Sequence, residues 1–557
     1  MSKKANHLSP FNIQLSCKIL RWLWEVSQGT RCSILLVTAL GIVGVFVGLL
    51  DIWVYKWVID IATKDVDGSL LLAGGVAVGV LLLTMGLGVF QSWVNVRLQV
   101  KAGNQMRHRL FQRLLASRWN ELEQYHSGDV LNRIERDGGA IVGLLTTTVP
   151  SFVISVLQFL AGFIFFCYLD YRLALLSASF LPLLMLGARF YGSRMRRYNH
   201  QIKQSGSHIQ AVMQESIQHR TVIKSMEQGE NHLSKLESYQ TTLSDQIDVR
   251  TRFSLVSKSI MQLGFSGGYI LAFLWSAYRL SLGQITFGTI TAMLQLVNKV
   301  QRPAFDLTRM VPTFVGAITA AERLMELEDL PMEDVSNRVL FKEAPLLVFD
   351  QVGFRYDDAE AEVLRNLSIT LVPGSRCALI GETGAGKTTM IRLLLAFAFP
   401  TTGRVYLKYR EQELAVSAYT RCNFVYVPQG NSLLSGTIRD NLLMGDIQAT
   451  DEAMKQALRH AQAHFVFDLP NSIDTSINEL GGGLSEGQAQ RIAIARALLR
   501  PGQILLLDEA SSALDSKTEA ALLDALFTEY PNKTILFITH DQAIVDRCDQ
   551  TIQLIKQ

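Results

Sequence analysis

The sequence predicts two domains of opposite character. An α-helical membrane domain of six spans with long cytoplasmic helix extensions covers residues 1–330, and an α/β domain covers residues 346–557, with a linker at 331–345. Three observations carry this division. Hydrophobic residues make up 48% of the 557 and charged residues 18%, below the roughly 25% charged of an average soluble chain. The apolar excess lies before residue 320, in six runs that approach or exceed the ~20 residues needed to cross a bilayer. After residue 345 short apolar runs alternate with helix-like ones, as an α/β domain requires.

The six runs are Ser33–Leu50, Ser69–Val96, Gly138–Leu169, Leu173–Ala188, Ser259–Tyr278 and Leu280–Asn298. The fourth is short, and tilt or snorkelling of Arg189 covers the difference. Basic residues crowd the N-terminus (Lys3, Lys4, Lys18, Arg21, Arg31), Arg97–Arg136 and Arg189–Arg252. The segments after the first, third and fifth runs are short and poor in basic residues, such as Asp170-Tyr171-Arg172 and Ser281-Leu282-Gly283-Gln284. The positive-inside bias therefore places both termini, and the α/β domain with them, on the cytoplasmic side of the cytoplasmic membrane. Met1–Arg31 is basic, carries Trp22 and Trp24, and lacks the compact apolar core of a cleavable signal. Phe11–Val26 is expected to form a short amphipathic helix along the membrane face.

Residues 97–137 and 189–252 show helical periodicity with interleaved charges, so the spans are expected to continue well into the cytoplasm. Trp119–Tyr125 and Gln214–Gln218 can form the turning points, with the candidate coupling turns near 119–125 and 214–225. Asp51, Lys56, Arg97, Lys299, Arg302 and Asp306 lie in or near apolar runs. Intramembrane charges are functional candidates, although pairing or snorkelling accounts for charges near span ends. A net charge of only +3 gives no reason to expect a nucleic-acid partner. The six cysteines are scattered without a C-x-x-C pair, so neither a disulfide framework nor a metal site is expected from them.

Gly381-Glu382-Thr383-Gly384-Ala385-Gly386-Lys387-Thr388 fits G-x-x-x-x-G-K-[ST] without a mismatch, and Thr389 is expected to join these residues in binding the nucleotide. It stands between a strand-like run, Cys377–Ile380, and a helix-like run, Met390–Leu395, the setting a phosphate loop needs. Backbone N–H groups curl around a polyanion there, and the helix adds the positive end of its dipole. Lys387 would reach the outer phosphates and the Thr388 hydroxyl would join a Mg²⁺ shell. The domain thus reads as a P-loop NTPase that binds a nucleoside triphosphate. Two further runs, Gln503–Leu507 and Thr534–Ile538, end in Asp508-Glu509 and Thr539-His540. Ligands bind at the carboxyl ends of parallel strands. There Asp508 can hold Mg²⁺, Glu509 can polarise the attacking water, and His540 can bond the γ-phosphate, positioning being what phosphoryl transfer chiefly needs.

Leu484-Ser485-Glu486-Gly487-Gln488 resembles the Leu-Ser-Gly-Gly-Gln signature of ATP-binding cassette (ABC) proteins. Arg491–Ala497 matches the helix after that signature, Gln429 in Val427-Pro428-Gln429 the Q-loop, and Ser512-Ala513-Leu514-Asp515 the D-loop. Tyr356 matches the aromatic that stacks on adenine, and Glu479 and Gly481 the Glu-x-Gly segment of exporters. Six spans ahead of one cassette resemble an exporter half-transporter, and Ser127–Ile134 resembles the segment after its first coupling helix. The resemblance implies ATP and Mg²⁺ as cofactors. Gln429 would join Glu509 and His540 in catalysis and Thr388 and Asp508 around Mg²⁺, while Ser485, Glu486, Gly487 and Gln488 would serve the ATP of a partner cassette. It further implies a homodimer or heterodimer in the bilayer that exports an amphipathic substrate (peptide, lipid or drug-like) by alternating access. A lipid flippase or a subunit requiring a second half-transporter is the alternative. Glu486 departs from the signature glycine and is expected to point away from the phosphates. The six spans argue against a non-transport cassette ATPase.

Overall fold

The computed structural model describes residues 13–125, 127–335, 338–356, 361–478 and 483–556. Phe11, Glu479, Gly481 and the side chain of Arg189 lie outside the described residues. The chain forms two compact units, one of Met1–Gln112 and Ser127–Asp329, the other of Arg113–His126 and Leu330–Gln557.

The first unit is helical: α1 (Ile13–Val26), α2 (Arg31–Ala62), most of α3 (Leu70–Ala116), α5 (Ser127–Asn132), α6 (Gly138–Gly143), α7 (Val149–Gln218), α8 (Arg220–Ser225), α9 (Gly229–Ser281) and α10 (Phe287–Glu328). The short α4 (Trp119–Glu123) belongs to the second unit. π-helical turns at Arg133–Asp137 and Leu144–Thr148 join α5, α6 and α7. Asp170 leaves helical geometry (φ −158°, ψ 102°) and divides α7 between the third and fourth expected runs. Four helical stretches among the described residues are long and apolar enough to cross a membrane: Arg31–Ala62, Leu70–Ala116, Ser127–Leu176 and Gly229–Ser281. The other two expected runs fall on α7 beyond Asp170 and on α10.

The sixth run needs correction. Leu280 and Ser281 end α9, Gly283 turns with φ +67°, and Thr286 caps α10 by accepting from the Thr289 N–H at 3.2 Å. An apolar count reads through this turn because Leu282 and Ile285 are themselves apolar. Within the second expected turn, 214–225, the break falls just past Gln218. Gln214–Gln218 stays helical, and the chain breaks at His219 and again before Gly229, where Glu227 takes φ +55°. The α1 expectation is amended too. Ile19 and Trp22 are buried with Met106 and Leu110 of α3 and Ala317, Ala321 and Leu324 of α10, and the Trp22 indole donates to Glu328 at 2.9 Å. Its apolar face packs on protein, while Leu20 and Trp24 stay exposed.

The second unit holds two main sheets. The first, antiparallel, contains β1 (Leu346–Phe354), β2 (Leu364–Leu371), β4 (Thr402–Tyr409) and β5 (Gln412–Ala415) in the order β2-β1-β4-β5. The second contains β3 (Arg376–Gly381), β6 (Phe424–Val427), β9 (Ile504–Asp508), β10 (Thr534–Ile538) and β11 (Gln550–Leu554) in the order β11-β3-β10-β9-β6, all parallel. A two-residue pair, β7 (Gly436–Thr437) and β8 (Ser476–Ile477), completes the set. Every residue of β10 and the four apolar residues of β9 are buried, as aliphatic runs in a sheet covered on both faces should be. The order β3-β10-β9 brings Gly381, Asp508-Glu509 and Thr539-His540 to one edge, because Ile538 pairs with both Leu379 and Asp508.

Candidate nucleotide site

α11 (Lys387–Leu394) starts directly after the glycine loop, with Gly386 at φ +100° and Gly384 at φ +86°. Only glycine adopts such angles freely, and a Cβ on Gly386 would also meet Leu364 Cδ2 at 2.8 Å. The Lys387 ammonium donates to the Gly381 carbonyl at 2.7 Å and lies 2.6 Å from His540 Nε2. Since an ammonium only donates, Nε2 accepts and the His540 ring proton sits on Nδ1. Thr388 is exposed at the loop. Thr389 is instead 4% exposed, and its hydroxyl is shared with the Tyr356 hydroxyl at 3.1 Å, so its side chain braces Tyr356.

Glu509 takes φ +49°, an uncommon angle for a residue with a side chain, and its N–H donates to Ile538 O at 2.9 Å. Gln429 Nε2 donates to Glu509 Oε2 at 2.6 Å, and His540 Nε2 stands 3.7 Å from Glu509 Oε1. Lys387, His540, Glu509 and Gln429 therefore form one chain of contacts across the sheet edge. Asp508 accepts from the Tyr426 hydroxyl at 3.1 Å. Burial, with the Glu509 charge adding, pushes the Asp508 carboxyl above its ordinary value against the opposing Tyr426 bond and Lys387 charge. The Tyr426 hydroxyl is pushed up as well, by burial and then by Asp508.

The signature residues open α14 (Glu486–Leu498), whose position in chain order follows α12 (Ile438–Leu443) and α13 (Asp451–His460). Ser485 is its N-cap: the Gln488 N–H donates to Ser485 Oγ at 3.3 Å and the Ser485 N–H to Gln488 Oε1 at 2.9 Å. Glu486 is exposed in the first turn, where a carboxylate suits the helix dipole. Gly487 is buried, and a Cβ there would meet Ala513 O at 2.6 Å. Asp515 caps α15 (Ser516–Glu529) by accepting from the Thr518 N–H at 3.0 Å, and α16 (Gln542–Val545) follows His540. Sequence reasoning missed Tyr426 and Arg392. The signal for Arg392 was a second cation on an otherwise apolar α11. For Tyr426 it was a phenol on the strand that pairs β9.

Residues 34–303 match the ABC transporter transmembrane region and residues 364–512 the ABC transporter domain, more than half of the chain between them. The chain belongs to the ABC transporter family. An uncharacterized ABC transporter ATP-binding protein YfiC of Bacillus subtilis is 27% identical over 552 residues, 96% of this chain and 89% of that protein. An ATP-dependent lipid A-core flippase of Albidiferax ferrireducens is 28% identical over 486 residues, covering 83% of this chain and 80% of the flippase. The solved structure of a bacterial Atm1-family ABC exporter with ATP bound superposes with a TM-score of 0.77 at 25% identity, over 95% of this chain and 94% of the other. This ABC exporter is a half-transporter, one helical transmembrane domain ahead of one nucleotide-binding domain, and an ATPase coupled to membrane transport.

Proposed function

We propose that this ABC exporter hydrolyses ATP at the edge formed by β3, β9 and β10, with Glu509 as the water-polarising base. The carrying observation is the convergence of Lys387, His540, Glu509 and Gln429 there, through contacts of 2.6 to 3.7 Å, with Asp508 preceding Glu509 at the end of β9. Backbone N–H groups of residues 381–388 and the start of α11 receive the phosphates, Tyr356 faces the adenine, and Lys387 exchanges its Gly381 and His540 partners for phosphate oxygens. Released from Lys387, the His540 ring moves its proton from Nδ1 to Nε2 and donates it in a hydrogen bond to a γ-phosphate oxygen. Gln429 holds Glu509 in the orientation that its φ of +49° already imposes.

The residues present suit Mg²⁺. Among the described residues no three His, Cys, Asp or Glu side chains form a cage, and Mg²⁺ seldom uses one, taking one or two protein ligands plus phosphate and water. The half-buried Asp508 carboxylate, beside Glu509, is a negative charge that a cation would offset. Thr388, Asp508 and the Gln429 carbonyl would hold the ion, which supplies charge neutralisation on the phosphates. Ser485, Glu486, Gly487 and Gln488 serve the nucleotide of a second cassette, so the working unit is a dimer. The cargo is an amphipathic peptide, lipid or drug-like molecule, and both termini lie in the cytoplasm. The similarity to a protein named as a lipid A-core flippase favours a lipid as the first class to screen.

The test is ATP turnover and particle stoichiometry of the purified chain in lipid nanodiscs. Glu509→Gln is expected to lower turnover by about 10²–10⁴-fold while ATP binding is kept. Unchanged turnover would remove Glu509 from the role of base. Turnover that appears only with a second half-transporter added would make the chain one subunit of a heterodimer.

A further inference from the structure

α11 buries Met390, Ile391, Leu393 and Leu394 in the core and leaves Arg392 at its side. The Arg392 guanidinium joins two parts of the second unit that the hydrolytic site does not otherwise connect. Nη2 donates to Glu123 Oε1 of α4 at 2.6 Å, and Nη1 donates to the Tyr356 hydroxyl at 3.2 Å. Its charge also reaches Tyr426, the phenol that donates to Asp508. The Arg392 carbonyl accepts from the Phe397 N–H at 2.8 Å, and the Phe397 ring stacks on Trp119 of α4 with centroids 4.9 Å apart. The backbone on either side of α4 is held as well: Arg118 N–H donates to Pro331 O at 2.9 Å and Glu333 N–H to Ala116 O at 2.8 Å. The Arg392 and Glu123 side chains are 28% and 38% exposed, so the pair acts through its hydrogen-bond geometry and not through burial of charge.

We infer that Arg392 is a positioning residue that links the nucleotide base to α4, holding the Tyr356 ring through its hydroxyl while clamping Glu123. This rests on the reading that Tyr356 carries the adenine. Both contacts use one guanidinium, whose planar fork fixes the two directions together. A base that orders Tyr356 therefore orders the Arg392 fork and tightens its hold on α4. By linkage, docking of α4 tightens nucleotide binding by the same factor, although Glu123 touches no nucleotide. α4 follows α3 directly in the chain, so the device ties base occupancy to the extension of a membrane span.

The test is equilibrium ATP binding by the full chain in nanodiscs without Mg²⁺, so that hydrolysis does not intervene. Glu123→Gln and Tyr356→Phe are each expected to weaken ATP binding about fivefold or more, and the double variant no further than the weaker single. The swapped pair Glu123→Arg with Arg392→Glu should regain affinity, since the new carboxylate can pair with the arginine and accept from the tyrosine. With Mg²⁺ present, Glu123→Gln should raise the KM for ATP and leave kcat at saturation. A merely structural clamp would not give that split. Unchanged affinity in Glu123→Gln, or losses that add in the double variant, would overturn the link. Tyr356→Ala separates the two ideas. Undiminished affinity there removes Tyr356 from the base, whereas a large loss there beside a normal Glu123→Gln sinks the Arg392 link alone.

Discussion

A few residues in the nucleotide-binding domain hold positions that only their surroundings explain. Glu509 keeps a left-handed backbone because its N–H bonds Ile538 O and its carboxylate is bound by Gln429. Gly487 lies where any side chain would strike Ala513 O, so packing requires a glycine there before any nucleotide is considered. Lys533 is a half-buried cation that donates to Arg500 O and Gly502 O at 3.2 and 2.8 Å. Burial pushes its ammonium from 10.5 down to about 8. Between about pH 8 and 10.5 the unfolded chain therefore holds the extra proton, and this group makes the fold more stable as pH rises through that window. Thermal unfolding of the full chain in nanodiscs should show the wild-type advantage over Lys533→Met growing across the window, by about 1–3 kcal/mol. A gap that shrinks with rising pH would contradict the burial assignment.

At the scale of elements, the ends of the helices in the membrane domain are pinned by buried carboxylates. Asp60 of α2 is 1% exposed, pairs with Lys56 at 2.6 Å and accepts from the Gly288 N–H at 3.0 Å, where α10 begins. The first turn of α10 needs such an acceptor for its free N–H groups. At the break in α7, Asp170 does similar work, accepting from the Trp275 indole at 3.0 Å and the Arg279 guanidinium at 2.6 Å on α9. Asp60→Ala would strand Lys56 and the Gly288 N–H together. It is expected to destabilise the chain by about 2–5 kcal/mol, read as a lower midpoint of thermal aggregation in detergent. Asp60→Asn, which keeps an acceptor for Gly288, should recover part of the loss. Equal loss in both variants would show that the ion pair, not the cap, matters.

At the scale of the whole molecule, the charge asymmetry of the loops makes an orientation testable. The turn between α2 and α3 carries Lys64, Asp65 and Asp67, whereas the segment joining α8 to α9 lies within the basic stretch Arg189–Arg252. The six cysteines are free, so a cysteine-free background can be made without breaking a disulfide. In intact cells a membrane-impermeant maleimide should label Asp65→Cys and should reach Gln228→Cys only after the cells are opened. Labelling of Gln228→Cys from outside would invert the topology.

The two domain types, the glycine loop at 381–388 between strand and helix, and the strand ends bearing Asp508, Glu509 and His540 were legible from the chain alone. Those features are local: a glycine loop between strand and helix, or an apolar run long enough for a bilayer, depends on neighbours in the chain. Tertiary structure decided the rest. The start of α10 was set by Asp60 from α2, and the burial of α1 by α3 and α10. Residues 113–126 were assigned to the nucleotide-binding unit by Phe397, Arg392 and the linker at Pro331–Glu333. Thr389 became a brace for Tyr356, and Tyr426 and Arg392 gained their importance from partners 82, 36 and 269 residues away. Hydrogen bonds and ion pairs of that separation leave no periodicity for a sequence to display, because their geometry exists only after the strands and helices have packed.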